Sequence, residues 1–97
     1  MEGHSVIATD VLASYAADAA AEVPGVHELV ESTLHRHKGV RVATDDGRVT
    51  VELHVAVEWG SSIPVVAETV QRHVADFLSR MAGVRPAAVN VIVDEVR

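Results

Sequence analysis

Residues 48–59 read RVTVELHVAVEW, and the fold is decided here. Val49, Val51, Leu53, Val55, Val57 and Trp59 alternate with Thr50, Glu52, His54, Ala56 and Glu58. Successive side chains of a strand point to opposite faces, so this period of two predicts a strand with one aliphatic face in a core and one polar face outside it. Just before it stands Asp45-Asp46-Gly47, hairpin chemistry, preceded by alternating Val40 and Val42. That order predicts a two-strand hairpin.

Downstream, Gly60-Ser61-Ser62-Ile63-Pro64 has the composition of a strand-to-helix junction. A serine at 61 or 62 can cap, Pro64 fits the first turn, and Ile63 can pack back onto it. The helix that follows carries Val66, Val70, Val74, Phe77, Leu78 and Met81 as its apolar stripe, with Glu68, Arg72, Asp76 and Arg80 on the solvent side. Gly83 ends it. Residues 88–96 alternate again, Val89, Val91 and Val93 against Asn90, Ile92 and Asp94.

Upstream, Thr9 or Asp10 is the expected cap of a helix from Val11, with Leu12, Tyr15, Ala16, Ala19, Ala20 and Val23 on its buried side, stopped by Pro24-Gly25. Residues 26–38 carry no strong cap, and are expected to be a variable, mobile segment with one or two short helical turns through Leu29, Val30 and Leu34. Residues 4–7 are an optional leading strand. A strand, long helix and strand in succession favour a right-handed crossover with the two strands parallel in one sheet. The expected fold is therefore α+β, a two-layer sandwich. It has a small mixed sheet of three to four strands with two helices on one face, in the order (β)αββαβ, as a single domain over 1–97.

Composition narrows the function. The chain has 97 residues, 48% hydrophobic and 23% charged, which is ordinary globular usage with room for one core. Phe, Tyr and Trp occur once each, so the core is thin and association would support it. A net charge of −6 argues against a nucleic-acid partner and against direct attachment to anionic lipid. With no cysteine there is no disulfide frame, thiolate metal site or thiol redox chemistry. The opening residues MEGHSVIATDVL do not read as a secretory leader, and no run reaches the ~18 apolar residues of a membrane span. Direct membrane insertion is not expected.

Three features invite a chemical reading. His27, His35 and His37 crowd one segment and are the candidate metal ligands, yet a tight site needs three or four converging donors and cysteines are missing; a polar surface segment accounts for them as well. Glu52, His54 and Glu58 share the outer face of the long strand, where an acid–base cluster competes with the plainer reading of a solvated sheet face with a solvated histidine. No serine or threonine stands in a nucleophile elbow, the glycines sit at element boundaries, and an RNA-binding domain of the KH type would need a GxxG loop and a basic groove. The chain is thus expected to be no enzyme and to need no cofactor. Its function falls to a surface: Glu52, His54, Ala56, Glu58 and Ile92, on the side away from the helices, are the candidate interaction residues.

The block VRVATDDGRVTVELHVAVEWGSSIPVVAETVQRHVADFLSRMAGVRPAAVNVIVDEV resembles the core of the alkaline shock protein 23 family, bacterial envelope stress response proteins. The stretch VLASYAADAAAEVPGV resembles that family's opening helix. The features that carry the likeness are the alternating strand running into Trp59-Gly60, Ile63-Pro64 opening the long helix, Met81-Ala82-Gly83-Val84 closing it, and Val89-Asn90-Val91. The resemblance implies a non-enzymatic, self-associating protein, held to the cytoplasmic side of the cell membrane by a small membrane-anchored partner. Ala8-Thr9-Asp10 stands where relatives usually have Ser-Pro-Glu, and the segment after the first helix is His-rich where relatives often have Gly, so contacts made through residues 1–10 or 26–38 do not carry over.

Overall fold

The computed structural model describes residues 8–31 and 39–97. The elements are α1 (Thr9–Ala21), β1 (Val26–Leu29), β2 (Val40–Asp45), β3 (Arg48–Val57), α2 (Ile63–Ala82) and β4 (Ala88–Val96). The central strand β3 organises them. Its odd-numbered residues Val51, Leu53, Val55 and Val57 are fully buried at 0% exposure against Val70, Val74 and Leu78 of α2 and the alanine face of α1. Each such Val or Leu stabilises the fold by roughly 1.5–3 kcal/mol. Both helices lie on this side, giving the expected two-layer α+β sandwich with a mixed sheet.

β2 and β3 form the predicted hairpin, with Asp45 opposite Arg48. Asp46 (φ 55°) and Gly47 (φ 76°) both take positive φ, the requirement of a two-residue type I′ turn. β4 runs parallel to β3 along the opposite edge, from Thr50 beside Ala88 to Val57 beside Val96, as the helical crossover demands.

Residues 26–29 depart from expectation. They form a strand instead of a helical turn, antiparallel to β3 with Val26 opposite Val57 and Leu29 opposite Val55. β1 and β2 therefore occupy one edge of β3 end to end, and the element order is αβββαβ. They meet at His54, whose C=O accepts from Val30 N–H (2.8 Å) and whose N–H donates to the Gly39 C=O (2.9 Å). Gly39 has φ 78°, and a Cβ there would stand 2.7 Å from the Val30 carbonyl oxygen, so the close approach of the two segments requires glycine. The optional strand at 4–7, and Leu34 of the helical turns expected over 26–38, lie outside the described residues.

Three smaller expectations are corrected. The first helix begins at Thr9 with Ala8 as its N-cap and no side-chain cap, so Thr9 and Asp10 sit inside the first turn. Trp59 does not continue the core face, because β3 ends at Val57; its exposure is 83%. Met81 is 53% exposed, one turn beyond the last buried stripe residue, Leu78. Three other helix signals coincide with the structure, Ser62 Oγ accepting from Val65 N–H, Pro64 in the first turn and closure at Gly83, whereas Ile63 does not pack back and stays exposed. The helices meet through small side chains, an edge-on Tyr15–Phe77 contact at 5.9 Å, and a His73–Glu22 pair at 3.0 Å.

Candidate functional site

The even-numbered residues of β3 face away from the helices. His54 lies in the middle of this open face and is 8% exposed, so the solvated histidine expected from periodicity is corrected. Its Nδ1 is 2.9 Å from Asp94 Oδ2, and its Nε2 is 2.8 Å from Glu52 Oε2. Ionised carboxylates only accept hydrogen bonds, so both ring nitrogens must donate, and the geometry describes an imidazolium held between two acids. Burial works against that charge but is outweighed by the hydrogen bonds and the negative charges of Glu52 and Asp94, which together raise the His54 pKa above its ordinary value. The two carboxylate side chains keep about a third of their surface in water, 32% for Glu52 and 36% for Asp94.

Two strand irregularities shape the rest of the face. β4 carries one extra residue between the pairs Val55/Val93 and Ala56/Glu95, and that residue is Asp94. β1 is likewise irregular between Val26 and Glu28, leaving Glu28 beside Ala56. Glu28 and Glu95 thus flank Ala56 on both sides, and Arg97 joins them, with its Nε 2.7 Å from Glu95 Oε1 and its Nη1 on Glu28 Oε2. Ala56 is 0% exposed. The expectation of an accessible alanine there is therefore corrected: a three-residue ionic clasp brackets a methyl group.

Of the residues singled out from the sequence, the structure brings Glu52 and His54 together. Glu58 is exposed just past the end of β3, and Ile92, beside His54 in the register, is 37% exposed. Among the candidate metal ligands His27 is exposed on β1, while His35 and His37 lie outside the described residues. Among the described residues no three His, Asp or Glu side chains converge as a metal site would require. Sequence reasoning missed Glu95, Glu28 and Arg97 as members of the open face, and Asp94 as the partner of His54. The alternation in β4 did place Asp94 on the same side as Ile92, but nothing short of the parallel register and its extra residue puts it beside His54.

A second surface lies at one end of the sheet. Trp59 follows β3, Ile63 and Val65 open α2, and Val96 pairs with Val57 at the same end. Their exposures are 83%, 41%, 60% and 45%. No helix among the described residues is long and apolar enough to cross a membrane.

The comparisons agree with this architecture. A protein designated uncharacterized protein Spy1535 of Streptococcus pyogenes serotype M6 is 31% identical over 102 residues, covering 97% of this chain and 79% of that protein. YqhY of Bacillus subtilis strain 168 is 32% identical over 99 residues, covering 92% and 73%. Solved structures of the MamM CTD share the fold alone. A doubly substituted form superposes with a TM-score of 0.68 at 15% identity over 92% of this chain and 84% of that one. A manganese form gives 0.60 at 15% identity over 91% and 99%. A model of the alkaline shock protein 23 family, described as having a cell envelope-related function, matches residues 1–97, and the chain belongs to that family.

Proposed function

We propose that this protein is a non-enzymatic docking module of the envelope stress response, which self-associates and is held at the cytoplasmic face of the cell membrane by a membrane-anchored protein partner. The observation that carries the reading is the apolar end of the sheet: an 83%-exposed tryptophan at the same end as the exposed Ile63, Val65 and Val96. A large aromatic side chain left in water is the kind of anchor that dominates protein–protein binding once a partner buries it. The family's cell envelope-related description supports the setting.

In-cell cross-linking followed by mass spectrometry tests the reading. A membrane-anchored protein is expected to be recovered with the wild-type chain and lost with Trp59→Ala. Fractionation that leaves the chain wholly free of membranes under envelope stress, with no such partner cross-linked, would refute it.

A further inference from the structure

The hydrogen bonds of β3 fix which way each backbone group points. His54 and Glu58 bond towards β2 and β1, so the even residues of β3 serve that edge and the odd residues serve β4; Val57 C=O accordingly accepts from Arg97 N–H. In a parallel ladder an odd residue of β3 bonds the neighbours of its register partner, so Val51, opposite Val89, bonds Ala88 and Asn90. The N–H and C=O groups of Val89, Val91 and Val93 therefore point outward. Gln71 Nε2 reaches the Val89 carbonyl at 3.0 Å, as an outward carbonyl allows. Among the described residues no strand covers this edge.

Exposed strand edges are ordinarily defended by charge, proline or shortness. The β2 edge has such defences, being six residues long with Arg41 and Asp45. β4 has nine residues, and from Ala88 to Val93 none is charged and none is proline. The valines at 89, 91 and 93 are only half-buried, and an open groove of about 450 Å³ runs along the first half of the edge between α2 (Gln71, Arg72, Ala75) and Ala88, Val89 and Asn90.

We propose that this edge is where the chain self-associates: β4 pairs antiparallel with β4 of a second copy about a two-fold axis at Val91, making one continuous sheet. The proposal rests on the self-association included in the function above and assigns it a surface. Charge decides for a second copy. The strand is uncharged through Val93, acidic at Asp94 and Glu95, and preceded by Arg85. Antiparallel pairing centred on Val91 lays the neutral stretches on each other and sets Asp94 opposite Ala88 and Glu95 opposite Ala87, so no acid faces an acid; Arg85 falls opposite Arg97, whose charge Glu28 and Glu95 already offset, and diagonal to Glu95 of the other copy. Val91 then pairs with Val91 and Val89 with Val93 through outward backbone groups, the Val89 carbonyl accepting from Val93 N–H on its second lone pair beside Gln71 Nε2. Val93 of each copy enters the groove beside Val89 of the other, and Ile92 is covered by Asn90.

Sedimentation of the full chain over a wide concentration range is expected to show a dimer, and Val91→Pro to show loss of it. Proline at an outward-facing edge position removes no bond inside the monomer, so unchanged circular dichroism and cooperative unfolding are expected. The chain has no cysteine, which allows an independent test. Asn90→Cys mixed with Ile92→Cys is expected to oxidise to a heterotypic disulfide, because these positions face each other as a non-hydrogen-bonded pair with Cα atoms ~4.5 Å apart, within disulfide reach. Thr44→Cys on the β2 edge, mixed with either, is expected not to. A wild-type monomer at every concentration, or a dimer that forms no 90–92 cross-link, overturns the proposal. The two readings fail separately: a monomer that still captures its membrane partner through Trp59 removes the dimer and leaves docking, and a cross-linked dimer without that partner does the reverse.

Discussion

The two faces of β3 are buried by different physics. Towards the helices, Val51, Leu53, Val55 and Val57 are covered by hydrocarbon alone. Away from them, His54 and Ala56 are covered nearly as well, but by charged side chains that pair with one another: Glu52 and Asp94 on the imidazole, and Glu28, Glu95 and Arg97 around the methyl group. Burial on the first face depends little on pH or salt. On the second it depends on protonation, and its carboxylates remain partly wet, so each contact contributes less.

The largest expected effect breaks the hydrocarbon side. Leu53→Ala removes a fully buried side chain at the centre of the sheet and should cost about 2–5 kcal/mol in urea unfolding. On the ionic side, His54→Ala leaves Glu52 and Asp94 facing each other without the cation between them. A smaller loss of about 1–2 kcal/mol is expected at pH 6, because both acids keep contact with water. The pH dependence sharpens the contrast. The folded pKa of His54 is raised, so its contribution is fully present below the unfolded value of ~6.5 and is lost as pH rises through the higher folded value. The stability difference between wild type and His54→Ala should therefore shrink from pH 6 towards pH 9, whereas the Leu53→Ala difference should stay constant. A His54 difference that grows with pH would contradict the imidazolium. The smallest effect on folding is expected at Trp59→Ala, within about 0.5 kcal/mol by the same measurement, since the side chain leaves little surface to lose.

How legible each region was follows from the range of its interactions. The period of two in β3, the turn at Asp46-Gly47, and Ser62, Pro64 and Gly83 around α2 are local signals, and the structure places those elements where the residues indicated. β1 was illegible for a physical reason. It has four residues, an irregularity after Val26, and glutamate and leucine that favour a helix as readily as a strand; only the free edge of β3 makes it a strand. Trp59 lies two residues beyond the end of β3 although the alternation runs on through it, since nothing local marks Val57 as the last paired position. The open face was half legible. Alternation put Glu52, His54 and Ala56 there, but their burial comes from Asp94, Glu95 and Arg97, some 40 residues later, through a register the sequence does not display.

The junction at Val30 and Gly39 has a practical consequence. Both residues are fastened to His54, Val30 through its C=O and Gly39 through its N–H, so one residue of β3 holds two segments of the chain. A single exchange, Gly39→Ala, would therefore loosen both attachments at once, because a methyl group there meets the Val30 carbonyl.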